Sequence, residues 1–136
     1  MSEIRSIAVG RFVMVLMAAA LIPSVGFGWQ PVPPEGIGAP ADFHDNGVAG
    51  VYYAPVLEGD VPFVAVSAIV ASDTDCAPDE EGLSHCQNTI MLADGMAITI
   101  QNTHAMARYR CLAPGETVSV QAVAPGWIVV TTQSGG

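Results

Sequence analysis

The chain has 136 residues and carries 13 acidic residues against 4 basic ones, for a formal net charge of −9. Nucleic-acid binding draws most of its affinity from Lys and Arg contacts to phosphates, so this composition disfavours nucleic acids and, for the same reason, anionic membranes as partners. Hydrophobic residues make up 51% of the chain, and the acidity is best explained as a means of keeping the folded domain soluble.

The first 28 residues have the organisation of an export signal. Arg5 and Arg11 give a positive start, residues 12–22 form an apolar core, and Pro23 precedes small residues that suit cleavage. The alternative is an uncleaved membrane anchor, because the charge-free stretch 12–29 just reaches the length of a membrane span. We therefore expect a secreted or periplasmic domain or, in the alternative, an N-terminally anchored domain outside the membrane.

Residues 29–47 are rich in proline and glycine. Pro31, Pro33, Pro34 and Pro40 lack the amide donor that regular structure requires. The composition predicts a linker over 29–47 and a small β-barrel domain over 48–136.

After residue 47 the chain alternates short β-rich runs with turn residues, and no long stretch shows helical spacing. Pro55 cannot donate a backbone hydrogen bond, so the end of the first run is predicted to lie at a sheet edge. The expected fold class is all-β with five or six strands, and a small β-sandwich is the alternative to a barrel. The predicted strands are 48–57, 63–71, 88–93, 96–101, 117–123 and 127–132.

The pair Asp94-Gly95 is the strongest local signal in this region. A two-residue hairpin turn needs positive φ at both positions, which Asp-Gly tolerates. Residues 88–101 are therefore predicted to form a hairpin. In its register, the residue numbers of two opposite residues add up to 189. Continued outward, that register places His85 opposite His104, with Met106 on the same face.

The run MLADGMAITIQNTHAMARYRCLAPGETVSVQ, residues 91–121, resembles the middle and end of the S1-like OB-fold barrel of bacterial translation initiation factor 1. The shared features are a strand ending in Asp94-Gly95, a second strand, a basic connector over 106–110, and a Pro-Gly-Glu turn before alternating valines. The resemblance implies a small OB-like barrel. It does not extend to RNA binding, because Arg108 and Arg110 are the only basic residues available to meet phosphates.

The chain has three cysteines, Cys76, Cys86 and Cys111. In an exported protein such residues usually pair, and an odd number leaves one over. A disulfide between Cys86 and Cys111 is preferred because the longer loop gains more from closure. Pairing of Cys76 with Cys86 is the alternative.

His85, His104 and Met106 form a candidate copper site if the hairpin register extends that far. Imidazole and thioether groups suit copper, and an exported protein meets copper before a cytosolic one does. The competing interpretation is that strand pairing ends before His85, which leaves two ordinary polar residues flanking a hairpin.

Two further clusters are candidates for binding. Arg108, Tyr109 and Arg110 could line a ligand groove, because an exposed aromatic ring beside two cations offers stacking and charge. The acidic run between Asp73 and Glu81 fails the spacing of a calcium loop and is predicted to be solvated.

Motifs for catalysis are absent from the sequence: it holds no nucleophile elbow, zinc-protease helix, phosphate loop or Cys-x-x-Cys pair. The sequence thus predicts an exported, non-enzymatic β-barrel that acts as a binding or structural module of the cell envelope, without a cofactor and with an unknown protein or small ligand as its partner. The alternative function is a periplasmic or extracellular copper carrier.

Overall fold

The computed structural model describes residues 30–133, and they form an all-β domain. Two short 3-10 turns, Phe43–Asp45 and Val48–Gly50, precede the first strand. The all-β class is the predicted one, and each of the six predicted strands is present within about four residues of its expected ends. The strands are β1 Val51–Glu58, β2 Val66–Thr74, β3 Ser84–Leu92, β4 Ala97–His104, β5 Thr117–Ala124 and β6 Trp127–Thr132.

The six strands close into one antiparallel barrel in the order β1-β4-β3-β2-β5-β6, with β6 pairing back to β1. Three consecutive strands, β2 to β4, are joined by hairpins and β1 lies beside β4, which is a Greek-key path. Every described strand therefore has two neighbours, so the sandwich alternative and the free edge expected at Pro55 are both wrong. Pro55 lies inside β1, opposite Trp127.

The barrel interior is filled by side chains. Residues along each strand alternate between inward and outward positions, as the two-residue period of a strand requires. The main core contains the fully or almost fully buried Tyr52, Ala54, Ala68, Val70, Ile90, Leu92, Ile98, Ile100, Leu112, Val118, Val120, Ile128 and Val130.

The β3–β4 hairpin differs from the prediction in its register. Gly95 N–H donates to the Leu92 carbonyl and Leu92 N–H donates to the Met96 carbonyl, so the loop has three residues, 93–95. Gly95 takes a φ of +89°, as the last residue of a three-residue loop does. Paired positions consequently sum to 188, with Ser84 opposite His104. A slip of one residue sends each affected side chain to the other face.

The segment before β1 packs on the barrel. Phe43 is 1% exposed and forms a second, smaller cluster with Leu83 and Ala105, and its ring lies 6.5 Å from that of Trp127. Asn46 is equally buried and binds the backbone of β1 and β4. The end of the predicted linker is thus part of the folded domain.

The predicted signal or anchor lies outside the described residues. Within residues 30–133, no helix has the length and hydrophobicity needed to span a membrane.

Candidate functional site

The disulfide of the structure joins Cys76 to Cys86, not Cys86 to Cys111 as preferred from the sequence. The β2–β3 ladder explains the pairing, since it matches Thr74 with Gln87 and a bridge further on matches Pro78 with Ser84. Cys76 and Cys86 lie between these pairs, with their Cα atoms 4.4 Å apart. Cys111, in the connector between β4 and β5, is outside the disulfide and half-buried.

Four side chains converge at this point of the barrel wall. Asp73, Cys76, Cys86 and Cys111 each offer one ligand atom, and these atoms all lie within 4.8 Å of one another. Burial, followed by the charge and hydrogen bond of Asp73, raises the pKa of the Cys111 thiol. Asp73 is oriented by Asn88, whose Nδ2 donates to Asp73 Oδ1 over 2.7 Å. We call these four residues the cysteine-aspartate cluster.

Buried polar atoms without a hydrogen-bond partner lie beside this cluster, on the inward face of β3 and β4. Among residues 30–133 they are Ser84 Oγ, Asn88 Oδ1, Asn102 Nδ2 and both ring nitrogens of His104. Burial lowers the pKa of His104, and the smaller opposing effects of the Asn102 backbone and of Asp73 do not offset it. The His104 ring packs edge-on against Tyr52, with centroids 5.6 Å apart. This end of the barrel interior is therefore polar, and its histidine is held neutral.

The predicted copper ligands are not brought together. The observed register puts His104 inside the barrel and His85 on the outer face, where its ring contacts Thr103 Oγ1 at 2.9 Å and Asp79 Oδ2 at 2.9 Å. Met106 follows the end of β4 and is 44% exposed. The expectation that both histidines share a face is wrong, because the hairpin loop is one residue longer than predicted.

At the predicted groove, Arg108, Tyr109 and Arg110 all make contacts within the protein. Arg110 makes two hydrogen bonds with the Glu116 carboxylate, at 2.7 and 3.0 Å. Arg108 lies 3.2 Å from Asp45 and 5.8 Å from the centre of the Tyr109 ring. Tyr109 packs against the core. Both cations thus have acidic partners, and this region is electrostatically balanced.

A cleft opens at the other end of β4, where β1 ends. It has a volume of about 380 Å³ and lies between the loop that follows β1 and the β5–β6 turn. Gly59 lets the loop approach the barrel, since a Cβ there would lie 2.8 Å from the Ala97 carbonyl oxygen. Glu58 and Asp60 stand at the rim of the cleft, and both are exposed. Its apolar lining is Val56, Leu57, Val61, Phe63, Ala122, Ala124, Pro125, Trp127 and Ile128.

Sequence reasoning missed both of these features. The cleft joins segments about sixty residues apart in the chain, and the cysteine-aspartate cluster joins three separate segments. The one local signal for the cluster was the third cysteine, together with an acid three residues before Cys76.

Fold and site define a closed six-stranded antiparallel β-barrel protein with a disulfide in its wall and an acid-rimmed cleft at one end. The chain matches no protein-family model, and comparisons with curated proteins and with solved structures give no significant match.

Proposed function

We propose that this protein is an exported binding module of the cell envelope that has no catalytic activity of its own, and that its ligand occupies the cleft between β1 and the β5–β6 turn. The observation that carries the proposal is the combination of exposed apolar side chains with an acidic rim. Leu57 and Phe63 are 51% and 62% exposed, and both line the cleft. Large apolar groups left in contact with water around a concavity are typical of a binding site.

The lining also defines the class of ligand. The cleft volume of about 380 Å³ is in the range of small-molecule sites. Glu58 and Asp60 are the ionisable residues of its lining, and no basic residue is among them. An apolar body beside two carboxylates is complementary to a small organic cation with an apolar or aromatic body. The two arginines in the described chain pair with acids elsewhere and do not compensate this charge.

Export is part of the proposal and is supported by the order of features in residues 1–28: basic start, apolar core, proline and small residues. An OB-like relationship is likewise proposed at the level of the barrel alone. The Asp94-Gly95 hairpin and the Greek-key path support it, and the sixth strand departs from the five of that fold.

A fluorescence titration tests the ligand class. The chain has two tryptophans, so the full-length Trp29→Phe variant reports on Trp127 in the cleft. The probes are 2-phenylethylammonium and its neutral counterpart 2-phenylethanol. Exposed ion pairs contribute about 0.2–1 kcal/mol, so the cation should bind about 1.4- to 5-fold more tightly at low salt. The advantage should shrink as salt screens the rim.

Matched variants locate the binding. Glu58→Gln combined with Asp60→Asn should remove the preference for the cation while the neutral probe still binds, and Phe63→Ala should weaken both probes. Glu80→Gln removes an exposed acid far along the chain, outside the cleft lining, and should change neither affinity. The proposal would be rejected if the protein that keeps Glu58 and Asp60 bound the cation and the alcohol with equal affinity. It would also be rejected if Trp127 fluorescence responded to neither probe.

A further inference from the structure

We propose that Asp73, Cys76, Cys86 and Cys111 bind a zinc ion when the Cys76–Cys86 disulfide is reduced. The four ligand atoms lie within 4.8 Å of one another. Sulfur atoms around a tetrahedral zinc with bonds of about 2.3 Å are separated by about 3.8 Å. Small side-chain movements of the reduced cluster are therefore sufficient to surround one ion.

The donor set suits zinc. Zinc is commonly held by cysteine thiolates and also accepts a carboxylate oxygen as a fourth ligand. Copper(I) also binds thiolates but gains little from a carboxylate, so a contribution of Asp73 to binding distinguishes a zinc site. Three thiolates and one carboxylate close a four-coordinate site, which is the arrangement of a structural zinc.

The barrel supplies a rigid base and an entry path for the ion. Cys86 points into the barrel from β3 and is fully buried, whereas Asp73, Cys76 and Cys111 are half-buried. The ligands come from the ends of β2 and β3 and from the β4–β5 connector, so the barrel fold itself holds them together. Three of the four ligand residues are thus partly exposed to solvent, from which an ion can reach them.

Asn88 already supports one of the proposed ligands, the Asp73 carboxylate. Asn88 is fully buried and fixes the Asp73 carboxylate through its Nδ2, as outer-shell groups do for metal ligands. Its Oδ1 has no partner in the structure. Leaving a buried polar atom unpaired costs free energy, and such atoms call for an explanation such as an ion or a functional site. Cys76 Sγ lies 3.3 Å from Asp73 Oδ1, so the carboxylate already sits between Asn88 and the sulfurs.

The disulfide controls access of zinc to the site. A dithiol reductant transfers two electrons and two protons to the Cys76–Cys86 bond, and becomes a disulfide itself. Zinc then displaces the protons of the three thiols and releases them to solvent. In the oxidised state only Cys111 retains a thiol, so the zinc site exists only in the reduced protein.

Cobalt(II) is the probe, because it occupies tetrahedral zinc sites and its thiolate bonds produce charge-transfer absorption. The full chain is reduced with a phosphine, which does not compete for the metal as a thiol would, and titrated without oxygen. We expect one cobalt per chain, thiolate-to-cobalt bands, and their loss when zinc is added. The oxidised chain should show no such bands.

The variants are chosen to separate the cluster from other metal-binding groups. Cys111→Ser should lower the absorbance per cobalt and weaken cobalt binding, although it keeps both Cys76 and Cys86. Asn88→Ala should weaken binding about 10- to 100-fold, as the loss of a residue that hydrogen-bonds to a metal ligand typically does. His85→Ala is the control and should bind as the unmodified chain does, because His85 faces outward.

Four results would overturn the proposal. One is a reduced chain whose cobalt spectrum lacks thiolate bands, and another is a Cys111→Ser spectrum and affinity equal to those of the unmodified chain. The third is a barrel that loses its circular dichroism on reduction and does not recover it with zinc. The fourth is a cobalt and zinc affinity that is unchanged in Asp73→Asn, which would reject the carboxylate as a ligand and with it the four-coordinate zinc site.

Discussion

Asn46 joins the segment before β1 to the barrel, and its replacement by alanine tests whether that segment is part of the fold. Its Nδ2 donates to the backbone carbonyls of Thr103 at 2.8 Å and Tyr53 at 3.0 Å, and its Oδ1 accepts from Tyr53 N–H at 2.8 Å. The side chain is 1% exposed. Each buried partner left unsatisfied costs about 1–3 kcal/mol. Allowing for water that enters the space, Asn46→Ala should lower the free energy of unfolding by about 3–5 kcal/mol.

Urea unfolding of the full chain, followed by circular dichroism, measures this difference. For a domain of this size the melting temperature should fall by about 10–20 °C. Asp45→Ala is the matched control one residue earlier, because Asp45 and its partner Arg108 are both about half exposed. Loss of an exposed ion pair should cost less than about 1 kcal/mol.

The isosteric variant Asn46→Asp is a stricter test of the same contacts. It keeps the size of the side chain but places an acceptor opposite two carbonyl oxygens, so it should destabilise at least as much as alanine. If Asn46→Ala unfolds within about 0.5 kcal/mol of the unmodified chain, the segment ending at residue 46 is not docked on the barrel in solution. The fold described for that segment would then be refuted.

Three further predictions concern backbone strain and pH. Gly95→Ala should lower the free energy of unfolding by about 1–2 kcal/mol because of the φ of +89° alone, since nothing lies near the added Cβ. Gly47→Ala should lower it more, because the added Cβ would lie 2.7 Å from the Tyr109 side chain. Thermal melts of the two variants test this order. Arg110 lowers the pKa of Glu116, so this pair stabilises the fold above the unfolded pKa near 4.3 and the contribution is lost as pH falls. Glu116→Gln should therefore flatten the acid limb of urea midpoints plotted against pH. Burial lowers the pKa of His104, so the unfolded chain binds its proton first and stability falls as pH drops below about 6.5. His104→Leu should remove that decline, and a profile unchanged between neutral pH and about pH 5 would contradict the neutral, buried ring.

The strands could be predicted because their signal is local. Alternation of apolar residues and Gly- or Pro-containing turns is readable over a few residues, and in β5 and β6 it placed both strands almost to the residue. Closure of the barrel was one of two expected outcomes. It depends on pairing of β1 with β4 and β6, which are far apart in the chain, and no local pattern encodes those contacts.

The hairpin shows where a correct local signal leads to a wrong site. Asp94-Gly95 is compatible with the predicted two-residue loop and with the observed three-residue loop, because both need a positive φ, which Gly95 supplies. The choice between them depends on which register buries the apolar residues of β3 and β4 against the rest of the barrel. With the three-residue loop, Ile90 and Ile98 face each other in the core, and His85 turns outward as a consequence.

The disulfide was misjudged for a related reason. A disulfide that closes a longer loop removes more entropy from the unfolded chain, which favoured Cys86 with Cys111. A disulfide can form, however, only where the two Cβ atoms are within reach of each other in the folded state. Continuation of the β2–β3 ladder beyond Thr74 determines that geometry and brings Cys76 to Cys86. The sequence identified Cys86 as a disulfide partner correctly and could not identify its mate without the register.

The two proposed sites can be tested independently because the apolar core separates them. The cleft adjoins the start of β4, where Gly59 approaches Ile98, and the cysteine-aspartate cluster adjoins its end, near Asn102. Four residues of strand span about 13 Å, and substitutions at such separations are usually additive. Variants of the acidic rim should accordingly leave cobalt binding unchanged. Reduction of the disulfide should leave the affinity of the cleft for an organic cation unchanged as long as the barrel stays closed. Coupling between the two would mean that the barrel changes shape on reduction, and the disulfide would then regulate the binding function as well as the metal site.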